Sequence, residues 1–303
     1  MRVVIALGGN ALLRRGQPMD IEVQRTNVKV AAEAIAEIAR EHQVVITHGN
    51  GPQAGLLALQ NEASAEAPPA PLDVLDAETE GMVGYLLEQE LGHHLPSGRL
   101  ATLLTQVVVD PYDPAFLHPT KPIGPVYDAA RIRELDARRG WVLRPDGEMW
   151  RRVVPSPRPH RIVEMDTIRL LVEHGVVVIC AGGGGIPVVH AGDGGYRGIE
   201  AVIDKDLSAA FLASELKADA LLLLTDVDAV YTDWGTPAQR PLRQTTVANL
   251  RSLDVPTGSM GPKIEAVCEF IQRGGSLAAI GALADAPSML RGEAGTVLRG
   301  AAD

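Results

Sequence analysis

Three lysines in this sequence stand in surroundings that could support chemistry on phosphate groups. Only five of the 28 basic residues are lysines, so arginine is the usual cation of the chain. Lys121, Lys205 and Lys263 each lie beside proline or aspartate, whereas Lys29 and Lys217 fall within predicted amphipathic helices and are expected on solvated faces. A compact ammonium group is suited to neutralising the oxygens of a phosphoryl group in transfer.

Two of the three lysines also have an ordinary structural explanation. Lys121 could be a surface charge on a loop, and Lys205 could pair with Asp204 or Asp206 at a helix start. Lys263 stands at a predicted helix N-terminus, where a cation is disfavoured by ~0.3–1 kcal/mol. Because this position is unfavourable for a cation, the lysine there suggests another purpose, such as binding an anionic ligand.

Three glycine-rich turns form a second candidate feature: Gly8-Gly9-Asn10, Gly49-Asn50-Gly51 and Gly182 to Gly185. Glycine allows successive N–H groups to point at one anion, and a helix that follows adds its positive dipole end. Any single turn could be a tight strand-to-helix connection, but three in one chain favour an anion site. The P-loop, the dinucleotide fingerprint and the protein kinase signatures are absent from the sequence.

Other polar residues remain open between two roles. Asp206 could orient Lys205 and Lys263 or bind Mg²⁺, or it could cap a helix. Asp226 could meet a nucleotide or serve a turn, and Tyr231 could stack on adenine or edge the core. Packing is the favoured role of His48. The arginine pairs 138–139 and 151–152 are expected on solvated surface, and no histidine or cysteine spacing suggests a metal.

Four short apolar runs predict the strands that position these residues. The runs are rich in β-branched residues or leucine, and each ends at a polar turn: Val3 to Leu7, Val44 to Thr47, Val176 to Cys180 and Leu221 to Leu224. Continuous apolar strands indicate a buried parallel sheet, and helical patterns alternate with them. The sequence therefore predicts an α/β sandwich with ligands at the carboxyl ends of its strands.

Two predicted helices begin beside Lys205 and Lys263, and one region breaks the strand-helix pattern. The helices run from Asp206 to Leu216 and from Pro262 to Gln272, while Asp20 is the predicted cap of an earlier helix. Residues 110–159 are rich in Pro, Arg and Gly and show no clear sheet strand. Because a loop of that length is unusual in a compact domain, we predict a small protruding lid there.

The charge balance limits the kinds of partner. The net charge is −10 and the pI is about 5.3, which argues against a broad nucleic-acid or membrane surface. Two cysteines predict a reducing compartment, and no apolar stretch is long enough for a signal or membrane segment. We expect a cytoplasmic protein.

Six motifs, in order along the chain, resemble those of the carbamate kinases. They span nearly the whole sequence: Ala6-Leu7-Gly8-Gly9-Asn10-Ala11-Leu12-Leu13, Thr47-His48-Gly49-Asn50-Gly51-Pro52-Gln53, Pro119-Thr120-Lys121-Pro122-Ile123-Gly124-Pro125, Ala181-Gly182-Gly183-Gly184-Gly185-Ile186-Pro187, Val202-Ile203-Asp204-Lys205-Asp206-Leu207 and Gly258-Ser259-Met260-Gly261-Pro262-Lys263. Six long motifs in register make a specific match.

The resemblance implies the amino acid kinase fold, a three-layer αβα sandwich in one domain, 1–303, usually as a homodimer. It implies reversible phosphoryl transfer between ATP and carbamate, giving ADP and carbamoyl phosphate, with Mg²⁺ held mainly by ATP and no protein metal ligand. Residues 1–202 would bind carbamate, with the lid at about 110–159 carrying Lys121, and residues 203–303 would bind nucleotide.

The resemblance also assigns individual residues. Catalytic roles would fall to Lys121, Lys205, Lys263 and Asp206. The cradle for carbamate and the phosphoryl group would be Gly8, Gly9, Asn10, Gly49, Asn50 and Gly51. The nucleotide would meet Asp206, Asp226, Tyr231, Met260, Pro262 and Lys263. The first glycine turn has no lysine, so Lys121 would supply the charge there.

Two departures from the family pattern and two rival functions remain. Residues 76–80 are more acidic than the pattern leads us to expect, and His118 stands where we expect Asn. Both are expected outside the phosphate-binding core. The rivals are a kinase of the same fold with a different small carboxylate or phosphate acceptor, and a non-catalytic nucleotide sensor. Retention of all three lysines argues against the sensor.

Overall fold

The computed structural model describes residues 1–13, 17–63, 69–95, 98–128, 141–253 and 260–300. Strands recur along these ranges: β1 (Arg2–Leu7), β2 (Gln43–His48), β3 (Leu100–Thr102), β4 (Gln106–Val109), β5 (Lys121–Tyr127), β6 (Leu143–Asp146), β7 (Met149–Val154), β8 (Pro159–Ile162), β9 (Val177–Ile179), β10 (Ile186–His190), β11 (Tyr196–Gly198), β12 (Ala220–Thr225), β13 (Val230–Thr232), β14 (Arg240–Leu242), β15 (Gln244–Thr245), β16 (Leu277–Ala282) and β17 (Thr296–Arg299).

Helices alternate with these strands. They are α1 (Gly9–Leu12), α2 (Ile21–Ala39), α3 (Gly51–Ala63), α4 (Leu72–Gly92), α5 (Met165–Glu173), α6 (Lys205–Glu215), α7 (Val247–Arg251), α8 (Met260–Gln272) and α9 (Ala286–Arg291). Short 3₁₀ turns lie at Pro114–Phe116, Gly182–Gly184 and Leu283–Asp285.

The central sheet has eight strands in the order β15-β17-β16-β12-β1-β2-β9-β3. All pairings are parallel except β16 with β17. The four predicted strands are β1, β2, β9 and β12, and they are direct neighbours in the middle of the sheet. The predicted mainly parallel sheet is confirmed.

Burial on both faces explains why these strands are continuously apolar. On one face Val4, Val45 and Leu221 belong to a core that continues into α5, α6 and α8. On the other face, Ile5 and Ile46 belong to a core that continues into α2, α4 and α9. Two helix layers therefore enclose one sheet, which confirms the three-layer sandwich.

Helix ends follow local sequence signals, with one correction at α6. Asp20 caps α2 as predicted, because its carboxylate accepts from the N–H groups of Glu22 and Val23. The cap of α6 is Asp204, which accepts from the N–H groups two and three residues later. The helix thus begins at Lys205 rather than Asp206, and the alternative of Asp206 as the cap is wrong.

Among the described residues, three further sheets lie outside the central one, and the smallest is the antiparallel pair β13-β14. A four-stranded sheet has the order β11-β10-β4-β8. A three-stranded antiparallel sheet, β5-β7-β6, falls within residues 110–159, and we call it the small sheet. The expectation that this region lacks a sheet strand is therefore wrong. Prolines and arginines on these strands obscure the alternation of apolar and polar residues that would predict them. Residues 129–140 and 64–68 lie outside the described ranges.

Candidate active site

The turns after β1, β2 and β12 meet at one edge of the sheet. Leu7 pairs in register with both His48 and Leu224, so the chain leaves these three strands at the same level. A Cβ atom on Gly49 would lie 3.1 Å from the backbone nitrogen of Gly9. The first two glycine turns are therefore in direct contact, and glycine allows the close approach.

The third turn joins this edge to the start of α6. A Cβ atom on Gly183, whose φ is +70°, would lie 2.3 Å from Nδ2 of Asn50. A Cβ atom on Gly184 would lie 2.5 Å from the carbonyl oxygen of Ile203, one residue before the α6 cap. The three turns and the α6 N-terminus thus form one contiguous region.

Several N–H groups of the turns are not free to bind an anion. The N–H of Gly8 donates to the carbonyl of Leu224 at 2.9 Å, and that of Gly49 donates to the carbonyl of Leu7 at 3.0 Å. Gly182 donates to Glu80 at 2.8 Å. These three N–H groups are therefore used within the protein and hold the shape of the turns. Gly9 and Gly51 begin α1 and α3, where first-turn N–H groups lack helical acceptors.

A buried charge cluster lies where α6 and α8 begin. Nζ of Lys205 is 2.5 Å from Oδ1 of Asp206, and Nζ of Lys263 is 3.0 Å from Oδ2 of the same carboxylate. Asp206 and Lys263 are each 5% exposed. One buried carboxylate therefore holds two ammonium groups, the buried one of Lys263 and the partly buried one of Lys205, at a fixed separation.

The electrostatics of this cluster favour an anionic ligand. Burial alone would raise the pKa of Asp206, but Lys205 and Lys263 outweigh burial and lower that pKa to about 2. Burial, together with Lys263, lowers the pKa of Lys205, against the attraction of Asp206. Two ammonium groups share one carboxylate, so the cluster carries an excess positive charge that a phosphoryl group would neutralise.

Asp206 does not suit the alternative role of Mg²⁺ ligand. Both of its oxygens accept hydrogen bonds from lysine. Within the described ranges, no group of three or more His, Cys, Asp or Glu side chains is arranged to hold a metal ion.

Lys121 joins the cluster from the small sheet. Its Nζ is 2.5 Å from Oδ2 of Asp204, while Oδ1 of Asp204 caps α6. A cleft of about 930 Å³ is lined by Lys121, Lys205, Lys263 and both aspartates. Sequence reasoning did not assign Asp204 a role in the site. The available signal was an aspartate two residues before the predicted helix start, at a position where it could cap the helix.

The acidic stretch 76–80 lies directly beneath the glycine turns, so the expectation that it lies outside the phosphate-binding core is wrong. Nδ2 of Asn50 donates to Asp76 at 3.2 Å and to Thr79 at 2.9 Å. Glu80 accepts from the N–H groups of Gly182, at 2.8 Å, and Thr105, at 3.1 Å. These acids therefore fix the second and third turns.

Burial controls the protonation of the groups under the turns. It raises the pKa of Asp76 and that of Glu80 to about 8 in each case, against hydrogen bonds that lower both values. It lowers the pKa of His48 to about 4. His48 is fully buried, so it is a neutral packing residue as predicted.

The predicted nucleotide residues separate into two groups. Met260 and Pro262 open α8 beside Lys263, and Pro262 lines the cleft. Asp226 is exposed and accepts from the hydroxyl of Thr225, while the hydroxyl of Tyr231 donates to Asp228 at 2.6 Å. Neither Asp226 nor Tyr231 is among the described residues that line the cleft.

Some predicted features lie outside the residues that the structure describes. The side chain of Asn10 and residues 254–259, which include Gly258 and Ser259 of the last motif, lie outside the described part. So does the arginine pair 138–139. His118 is exposed, directly before the segment that carries Lys121.

The expectation that Arg151 and Arg152 are solvated is wrong. Arg151 lines the cleft. The guanidinium of Arg152 lies 4.4 Å from the ring centroid of Trp141, and its side chain is 18% exposed. Strand alternation in β7 directs the two arginines to opposite faces.

The described part of the chain contains no helix long and apolar enough to cross a bilayer.

The chain is similar to known proteins along nearly its whole length. A sequence model of the amino acid kinase family matches residues 1–281. A carbamate kinase of Rhizobium meliloti (strain 1021) is 58% identical over 302 residues, covering 98% of this chain and 93% of that protein. A carbamate kinase of Escherichia coli (strain K12) is 50% identical over 296 residues, covering 98% of each. The structure of carbamate kinase from Giardia lamblia bound to AMP-PNP matches with a TM-score of 0.91 and 40% identity, covering 99% of this chain and 98% of that one.

Proposed function

This chain belongs to the carbamate kinases of the amino acid kinase family, and on that premise we propose that its buried lysine cluster transfers the phosphoryl group. The reaction is reversible phosphoryl transfer between ATP and carbamate, giving ADP and carbamoyl phosphate. The observation that carries the site assignment is Asp206, which holds Lys205 and Lys263 together in a cleft that Lys121 also lines.

The proposed mechanism is a direct in-line transfer without a covalent enzyme intermediate. Carbamate is already an anion, so its attacking oxygen needs no general base. The polar groups beneath the turns support this view, because His48 is buried and Glu80 is occupied by backbone N–H groups. Lys205, Lys263 and Lys121 would stabilise the charge spread over the phosphoryl oxygens.

The carbamate would sit at the contact between the first two glycine turns. The available donors there are the N–H groups of Gly9 and Gly51. The helix α3, which is thirteen residues long, adds the positive end of its dipole at Gly51. Both amide hydrogens of Asn50 are held by Asp76 and Thr79, which leaves its carbonyl oxygen as an acceptor. The N–H groups of Gly8 and Gly49 would only shape the turns.

We further propose residues 1–202 as the carbamate part, residues 203–303 as the nucleotide part and the small sheet as a lid. The nucleotide phosphates would carry Mg²⁺ into the cleft. Asp226, Tyr231, Met260 and Pro262 keep their proposed nucleotide roles, although only Pro262 lines the described cleft.

A homodimer is proposed from one exposed apolar surface. Val74 and Tyr85 lie on α4 and are 40% and 55% exposed, and Leu104, which lies against α4 at Gly81, is 53% exposed. A face of this kind favours burial against a second copy. Sedimentation of the protein and of a Tyr85→Glu variant tests this, with monomeric wild-type protein as the contrary result.

The activity is tested by mixing the protein with ADP, Mg²⁺ and carbamoyl phosphate and measuring ATP. ATP formation well above a blank without protein is expected. A parallel panel with acetyl phosphate and acyl phosphates of amino acids tests acceptor choice. Faster turnover of any panel member than of carbamoyl phosphate would contradict the proposed substrate.

A further inference from the structure

The small sheet presents two arginines side by side. In the register between β6 and β7, Arg144 stands directly opposite Arg151. Directly opposite residues on neighbouring strands share a face, and the next residue, Arg152, belongs to the other face. Like charges in such a position are destabilising, so the pair calls for an explanation.

This face of the small sheet is a wall of the cleft. Arg144, Asp146 and Arg151 line it together with Lys205 and Lys263. Nε of Arg151 is 2.9 Å from Oδ2 of Asp146. No carboxylate in the described part of the chain forms an ion pair with Arg144.

The charges of the cleft do not balance. Five cationic side chains line it, and each of its three carboxylates is already paired. Asp204 holds Lys121, Asp206 holds two lysines and Asp146 holds Arg151. This cationic excess occurs in a chain whose net charge is −10, so it is local to the cleft. A polyanion is the ligand that matches it.

We infer that Arg144 and Arg151 bind the phosphate chain of the nucleotide from the small-sheet wall of the cleft. This inference rests on the proposed kinase function. The lysine cluster suits the single phosphoryl group in transfer, whereas two adjacent guanidinium forks suit neighbouring phosphates. Asp146 is then a positioning residue that holds Arg151 before the nucleotide arrives.

Two readouts test the inference: steady-state kinetics in the ATP-forming direction and calorimetric titration with ADP and with AMP. The variants are Arg144→Gln, Arg151→Gln and Arg151→Lys. The control is Arg197→Gln, which removes an exposed arginine of β11. For Arg144→Gln and Arg151→Gln we expect the KM and Kd for ADP to rise about 10- to 100-fold, as for loss of a charge-assisted hydrogen bond. The KM for carbamoyl phosphate and the affinity for AMP should change little.

Arg151→Lys should keep part of the ADP affinity, because it retains the charge but loses the planar fork. Unchanged ADP affinity in both glutamine variants would overturn the inference, as would an equal loss for AMP. If Arg197→Gln lowered the affinity for ADP as much as the cleft variants do, the loss would be an effect of net charge. That result would also overturn the inference. Arg144 is exposed and forms no ion pair with another described residue, so its variant tests the idea without disturbing the fold.

The two proposals fail in different ways. If wild-type protein binds ADP but forms no ATP from carbamoyl phosphate, the proposed function fails. The arginine assignment is still decided in that case by the ADP and AMP titrations. If wild-type protein is active and the glutamine variants bind ADP normally, only the arginine assignment fails.

Discussion

Lys121 and Asp204 are 83 residues apart in sequence, yet Nζ of Lys121 lies 2.5 Å from Oδ2 of Asp204. The other oxygen of this carboxylate caps α6 by accepting from the N–H groups of Asp206 and Leu207. One aspartate therefore fixes both the helix that carries Lys205 and the lysine that arrives from the small sheet. Loss of its charge should affect catalysis more than folding.

The first prediction separates these two functions of Asp204. Asn caps helices about as well as Asp, so Asp204→Asn should keep α6 intact while releasing Lys121. We expect kcat/KM to fall by about 10- to 100-fold, because misplacement of a charged group costs a factor of this size. The matched control is Asp20→Asn at the cap of α2, whose side chain forms no ion pair with a described lysine. Equal activity of the two variants would contradict the role of Asp204.

The second prediction concerns Lys205. Lys205→Ala should lower kcat by about 10²–10³, as removal of one transition-state donor does. Lys29→Ala, which removes an exposed lysine of α2, should retain full activity. Stopped-flow or coupled ATP assays measure both variants. A Lys205→Ala enzyme with the wild-type rate would remove this lysine from the mechanism.

The third prediction concerns pH and stability. The pKa of Asp76 and that of Glu80 are raised to about 8 in the folded protein, above their ordinary values. The folded state then holds protons that the unfolded state releases, so this stability is present at low pH and is lost as pH rises towards 8. Between pH 6.5 and 8 the free energy of unfolding should fall, with each group contributing up to ~1.4 kcal/mol per pH unit.

Asp76→Asn provides the control for this pH dependence. The amide keeps the shape and the acceptor for Asn50 but has no proton to lose in this range. Urea unfolding at pH 6.5, 7.25 and 8 should show a smaller slope in the variant than in wild-type protein. Identical slopes would mean that Asp76 is ionised in the folded protein.

The fourth prediction concerns the third glycine turn. Gly183 has φ +70°, and a Cβ atom there would lie 2.3 Å from Nδ2 of Asn50. Gly183→Ala should therefore displace Asn50 and raise the KM for carbamoyl phosphate. Gly194 has a comparable φ of +90° with open space around it, so Gly194→Ala carries the backbone strain alone. If both variants have the same melting temperature and the same KM, the contact between Gly183 and Asn50 does not affect substrate binding.

The central sheet was predictable because its signals are local. Val3 to Leu7 and Leu221 to Leu224 are apolar on both faces, and each ends where the chain turns. The small sheet was not predictable in the same way. Its strands alternate between a charged cleft face and a mixed face, and a register irregularity between Ile123 and Val126 interrupts the pattern.

The sequence alone determined which residue types meet at the site. Scarce lysines, glycine turns after apolar runs and the order of the motifs are all local properties of the chain. They were sufficient to predict the fold, to propose a phosphate site and to identify the resemblance to the carbamate kinases.

Only the tertiary structure decided which partner each charge has. Asp206 and Lys263 are 57 residues apart, and the burial of Asp76 depends on elements packed over it. In the structure, Asp204 caps α6 and Asp206 contacts both Lys205 and Lys263. Arg151 lies in the wall of the cleft, whereas the sequence predicted it on solvated surface. Pairing and burial arise from long-range contacts, which residue types and spacing do not specify.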